Sequence, residues 1–111
     1  MDCSLSETVR VTPLSATVNH AAAPPANQVQ FVASAAPTAP PGCPVPAWVV
    51  RVYGTWSNPD PTAIQISSAN DSTNGTAVCK TPTNGPVTLT GTFSQQTLSN
   101  PATETVQLTC N

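Results

Sequence analysis

Four cysteines, Cys3, Cys43, Cys79 and Cys110, have the plainest capacity for chemistry in this 111-residue sequence. Their number is even, their spacings are long and unequal, and no CxxC pair occurs. That pattern speaks against a zinc site and against a thioredoxin-type redox centre. One histidine, His20, could add at most one ligand, so two disulfides are the expected state. Disulfides persist in secreted, periplasmic and cell-surface settings and are rare in the cytosol. The expected location is therefore extracellular, cell-surface or periplasmic.

The other reactive types are scattered. The five acids, Asp2, Glu7, Asp60, Asp71 and Glu104, fall in separate segments. Acid–base catalysis needs a positioned partner and a shifted pKa, and no carboxylate pair is visible. The serines form neither a nucleophile elbow nor an SxxK motif. Asp60, Asn70 and Asp71 could lend oxygens to calcium, but that ion wants about six to eight. No catalytic residue, metal or cofactor is expected, and the chain is read as a non-enzyme.

Three aromatic positions invite a binding reading. Trp48 and Tyr53 are the candidate ligand-binding residues, because an exposed ring can stack on a sugar or a partner protein. Trp48 shares parity with Trp56, so the competing reading places it in the core. Tyr53 has the opposite parity, which suits a half-exposed ring with a solvated hydroxyl. Trp56 is expected to be a core residue. Arg51, an isolated cation in an apolar strand, is expected to face solvent, as is His20 beside Asn19. Asn70-Asp71-Ser72 and Asn74-Gly75-Thr76 match the N-glycosylation acceptor pattern and are read as loop residues.

Composition narrows the class. Hydrophobic residues are 39% and charged residues only 7% of the chain, far below the charge of typical soluble domains. Thr, Ser, Asn and Gln replace the missing charges, as is common in exported β-proteins. The net charge is −2, with Arg10, Arg51 and Lys80 as the only cations. Nucleic-acid binding needs clustered cations, and anionic lipid needs a polybasic patch; neither is present. No run approaches the ~18 apolar residues of a membrane-spanning helix. Met1-Asp2-Cys3 opens without a basic n-region or apolar h-region. The expectation is an excised domain whose longer parent carried the export signal.

The elements that would position these residues read as strands, because apolar residues recur with period two. Val9-Arg10-Val11 forms a first strand closed by Pro13, and Leu14, Ala16 and Val18 continue it. Val29, Phe31, Ala33 and Ala35 alternate inward on the next. The stretch from Pro37 to Pro46 is too proline-rich for a central strand. Trp48, Val50, Val52 and Trp56 share one face, and Val49, Arg51 and Tyr53 the other. Asn58-Pro59-Asp60-Pro61, Asn70–Gly75 and Asn84-Gly85 are turns. Ile64 with Ile66, Ala77 with Cys79, Val87 with Leu89 and Phe93, and Val106 with Leu108 and Cys110 complete the inward rows. About seven strands at 8–12-residue spacing predict an all-β, seven-stranded sandwich with Greek-key connections. Residues 1–111 form one domain with a Pro-rich insertion at 37–53.

Four stretches, in this order, carry a family resemblance: Val9-Arg10-Val11-Thr12-Pro13, then Gly54-Thr55-Trp56-Ser57-Asn58-Pro59-Asp60-Pro61-Thr62-Ala63-Ile64, then Gly75-Thr76-Ala77-Val78-Cys79 and Gly85-Pro86-Val87-Thr88-Leu89-Thr90-Gly91-Thr92. Together they resemble bacterial Ig-like group 2 domains, the intimin/invasin type, over most of the chain. The family usually lacks cysteines, and its segment between second and third strands is shorter. The resemblance implies an immunoglobulin-like fold and a non-catalytic spacer, stalk or adhesion module of an exported bacterial protein. Its partners would be neighbouring domains, with a carbohydrate or protein ligand as the alternative use of Trp48 and Tyr53. In such a sandwich, successive strands alternate direction. Cys3 and Cys43 then lie at one end and Cys79 and Cys110 at the other, which favours Cys3–Cys43 and Cys79–Cys110 among the three possible pairings.

Overall fold

In the computed structural model, which describes residues 3, 6–45, 49–93 and 102–111, every regular element is a strand. Val9 and Val11 are the buried row of β1 (Ser6–Thr12), with Arg10 exposed between them. After a cis Thr12–Pro13 bond, β2 (Ser15–Val18) follows in a different sheet. Two more pairs of neighbouring strands divide in the same way. These are β3 (Gln28–Gln30) with β4 (Val32–Thr38), and β5 (Val50–Val52) with β6 (Thr55–Ser57). The remaining strands are β7 (Ile64–Ile66), β8 (Thr76–Cys79), β9 (Val87–Phe93) and β10 (Ala102–Cys110).

These ten strands form three sheets, ordered β1-β4-β5, β2-β10-β9-β6 and β3-β8-β7. Neighbours run antiparallel except β2 and β10, which are parallel from Ser15↔Gln107 to Val18↔Cys110. The expectation of about seven strands undercounts, because three of the segments read as single strands each serve two sheets. One contiguous core, containing Phe31, Trp56, Ile64, Leu89, Phe93, Val106 and Leu108, lies among the three sheets. Such a layered arrangement is consistent with a β-sandwich.

At the centre of that core, Trp56 meets Phe93 edge-on with centroids 5.8 Å apart, and Phe31 at 6.1 Å with a tilt of 39°. Edge-to-face contacts suit the ring quadrupoles and add about 0.5–1.5 kcal/mol to area burial. The expected inward rows therefore hold for Val9, Val11, Phe31, Ala33, Ala35, Val52, Trp56, Ile64, Ala77, Leu89, Phe93, Val106 and Leu108.

Four expectations need correction. Leu14 is 63% exposed and precedes β2 rather than continuing the apolar row. Val50 is 38% exposed although it shares parity with Val52, because β5 is an edge strand and Val50 lies at its end. Arg51 is half-buried rather than solvent-facing, for reasons given below. Pro37 lies inside β4, the middle strand of its sheet. It is tolerated because β5 covers only Ala33–Ala35, so at Pro37 the strand has one neighbour, β1, through Glu7. A proline is tolerated in a strand with one open side because its nitrogen, which has no hydrogen to donate, can face that side.

The two bridges are Cys3–Cys43 and Cys79–Cys110, each with Cα atoms 5.7 Å apart. Cys79 ends β8 and Cys110 ends β10, so the second bridge joins the three-stranded β3-β8-β7 sheet to the four-stranded sheet. The first ties the segment before β1 to the segment after β4, fastening the start of the 37–53 insertion.

Candidate functional site

Asparagine is favoured in turns because its side chain imitates a peptide group, and Asn74 uses that property inside the core. It is the buried polar residue among the described ones, 3% exposed. Its Oδ1 accepts from the Gly54 N–H at 3.2 Å and from the Trp56 indole Nε1–H at 3.1 Å. Its Nδ2 donates to Gly54 O at 2.9 Å and to Ala69 O at 2.8 Å. Every hydrogen-bonding position of the carboxamide is thus used, as a buried amide requires.

This side chain explains one of the strand breaks. Gly54 separates β5 from β6, and its backbone groups pair with Asn74 instead of a strand. Next in sequence, Gly75 O accepts from Phe31 N–H at 2.9 Å, at the break between β3 and β4. Gly75 has φ +83, and a Cβ there would sit 2.0 Å from Phe31 O. Only glycine meets both demands. Asn74-Gly75 is therefore the joint at which two chain segments pass from one sheet to another.

The 70–75 loop is also held from outside. Arg51 Nη2 donates to Ser72 O at 3.1 Å and Asn74 O at 3.3 Å. Gln30 Nε2 donates to the same two carbonyls at 2.6 and 3.4 Å. Asp71 accepts from the Thr73 hydroxyl and backbone N–H. Those two bonds, the hydroxyl's first, hold its carboxyl below the ordinary value of 3.8, with a smaller contribution from Arg51. These contacts draw Arg51 against the body of the protein.

Tyr53 is half-buried, and the Arg51 guanidinium lies 5.3 Å from its ring centroid. A cation over a tyrosine face is attracted by the ring quadrupole. Trp48, the other candidate ligand-binding residue, lies outside the described residues. Val45 and Val49 of the insertion are 55% and 67% exposed.

The other candidates are not drawn together. His20 bonds the Asn111 carbonyl through both its backbone N–H and Nδ1. Asp60 caps its own turn, accepting from Ala63 N–H, while Asn58 Oδ1 accepts from Asp60 N–H at 2.9 Å. Among the described residues, no group of three His, Cys, Asp or Glu could hold a metal ion. A groove over the β3-β8-β7 sheet is lined by residues including Gln28, Gln65, Ser67, Thr73 and Thr76. Ile66 and Val78 add apolar side chains to these amides and hydroxyls, and no acid or base lines the groove. Among the described residues, no helix is long and apolar enough to cross a membrane. Two disulfides point to an oxidising environment, extracellular or periplasmic.

Asn70 is exposed, whereas Asn74, in the other acceptor-like triplet, is enclosed. Sequence reasoning missed Asn74, Gln30 and Ser72 as a working set. Asn-Gly signals a turn, but nothing local signals that the turn points inward. No family model, curated protein or solved structure matches this chain.

Proposed function

We propose that this chain is a non-catalytic, immunoglobulin-like spacer or adhesion module of an exported bacterial protein. The strand orders support the fold assignment: β3-β8-β7 suits one layer of such a domain and β2-β10-β9-β6 the other, with β2 as the short strand running parallel to the last, while each strand of the third sheet, β1-β4-β5, is next in sequence to a strand of one of those layers. The ordered motifs of Trp56 to Ile64 and Gly85 to Thr92 support the group 2 type.

The observation that carries the mechanical reading is how the bridges divide the chain. Residues 3–43 and 79–110 are two covalently closed loops. β2 belongs to the first and β10 to the second, and they pair in parallel at four positions. Tension between the chain ends therefore shears the β2–β10 ladder instead of unzipping it bond by bond. The shape is elongated, 56 × 23 × 22 Å, as suits a spacer.

Single-molecule stretching by the chain ends tests this. Oxidised protein should give one resolved unfolding event. It should release only the segment from Cys43 to Cys79, a contour of about 120 Å, against roughly 370 Å when both bridges are reduced. Extension of the oxidised protein without a resolved force event would overturn the spacer reading.

A further inference from the structure

The chain contains the dipeptide Asn-Gly twice, at 74–75 and at 84–85, and the fold places the two copies in opposite surroundings. Asn74 is 3% exposed, and its Nδ2 and Oδ1 are both fully hydrogen-bonded. The Gly75 N–H donates to Ser67 O at 2.9 Å, and Phe31 O crowds the glycine so closely that no Cβ fits. Asn84, by contrast, is exposed. Gly85 has φ +88, and nothing lies within 4 Å of where its Cβ would be. The turn there is uncrowded at Gly85.

We infer that Asn84-Gly85 is a spontaneous modification site of the folded protein, converting through a cyclic imide to aspartate and isoaspartate, while Asn74-Gly75 is protected by the fold. In the first step the Gly85 backbone nitrogen gives up its proton and attacks Asn84 Cγ. The bond from Cγ to Nδ2 breaks, and the amide nitrogen leaves as ammonia. Water then adds to either carbonyl of the five-membered imide. One opening leaves an ordinary aspartyl residue at this position, with the normal backbone. The other gives an isoaspartyl link, which routes the chain through the side chain and adds one backbone atom. Water is the sole co-reactant. Glycine at the second position leaves the attacking nitrogen unhindered, because it has no side chain.

The same reaction at Asn74 requires the carboxamide to leave four partners and Gly75 N–H to leave Ser67. It therefore proceeds only from a locally opened state. The isoaspartyl product at position 84 also has a mechanical consequence. The Thr83 hydroxyl donates to Gly85 O at 2.8 Å and accepts from the Cys110 N–H at 3.0 Å, while Thr83 N–H donates to Cys110 O at 2.9 Å. An extra backbone atom inside this turn displaces Gly85 O and loosens the grip of Thr83 on the end of β10.

Peptide mapping by mass spectrometry after incubating the oxidised, folded protein at mildly alkaline pH tests the inference. The peptide carrying Asn84 should gain one mass unit and split into aspartyl and isoaspartyl forms. The Asn74 peptide should react at least about 100-fold more slowly, the factor that corresponds to about 2.8 kcal/mol of local opening. In reduced, urea-unfolded protein the two sites should react at similar rates, and Asn84→Gln should abolish the main product in the folded protein. Hydrogen exchange at the Cys110 amide should quicken in the isoaspartyl form. Comparable rates at Asn74 and Asn84 in the folded protein would overturn the inference, as would an Asn84 that stays intact when folded but reacts when unfolded. Unchanged exchange at Cys110 would overturn its mechanical consequence.

Discussion

Trp56 donates its indole N–H to the Asn74 side-chain oxygen at 3.1 Å inside the core, so the largest core ring and the buried amide hold one another in place. Around that bond Asn74 also holds Gly54 and Ala69. Removing the carboxamide strands an indole donor, a backbone donor and two carbonyls. Asn74→Ala should destabilise the protein by about 3–5 kcal/mol, since each buried group left unpaired costs about 1–3 kcal/mol and water entering the gap recovers part. Trp56→Phe, which deletes one donor and some ring area, should cost less, about 1–3 kcal/mol. A double-mutant cycle from urea unfolding should give a coupling of about 1–2 kcal/mol. Additive losses would show that the bond carries no energy of its own.

Gln30 and Arg51 donate to the same pair of carbonyls, Ser72 O and Asn74 O. Either donor alone still satisfies the 70–75 loop. Gln30→Ala and Arg51→Ala should therefore each cost no more than about 1 kcal/mol, and the double variant more than their sum. Amide exchange across residues 70–75 is the direct readout. It should quicken modestly in each single variant and sharply in the pair.

The two bridges close loops with sequence separations of 40 and 31 residues. Loop entropy alone predicts nearly equal stabilisation, about 4 kcal/mol each. Their surroundings differ: Cys79 and Cys110 are each 1% exposed, whereas Cys3 is exposed and Cys43 half-buried. Replacing Cys79 and Cys110 by alanine also empties core volume between two sheets, so that pair should cost more than Cys3 and Cys43. Denaturant midpoints of the two double variants check the order. Dithiothreitol titration should open the exposed bridge first, because thiolate attack needs access.

Asp71 has a carboxyl whose pKa is lowered by the Thr73 hydroxyl, then the Thr73 N–H, with Arg51 contributing less. A depressed folded value means the ionised form favours the folded loop. Its contribution is present above the ordinary value of 3.8 and is lost as pH falls through the lower folded value. The Thr73 amide resonance should therefore titrate with a midpoint below 3.8. In Asp71→Asn that acid-side transition should vanish.

Much of the architecture was legible from residue order. Alternation located the inward rows of β1, β4, β8, β9 and β10, because burial on one face of a strand leaves a period-two trace. The exceptions cluster where a strand is short or at an edge. Val50 has the right parity but lies at the end of an edge strand, and Leu14 lies in the step between two sheets. Pro37 argued against a strand, yet sits where β4 has only one neighbour.

The sequence by itself determined that this is an all-strand protein with Trp56 at its centre, and that its cysteines belong in an oxidising setting. Those properties follow from side-chain period, branched residues and cysteine number, all of which are local or compositional. Only the tertiary structure decided that Asn74 turns inward to serve as a peptide surrogate, that Arg51 folds back onto a loop, and that the two Asn-Gly pairs lie in opposite surroundings. A turn dipeptide fixes how the backbone bends but says nothing of which side of the bend will face the core. That depends on residues more than forty positions away, such as Phe31, whose N–H had to find the Gly75 carbonyl.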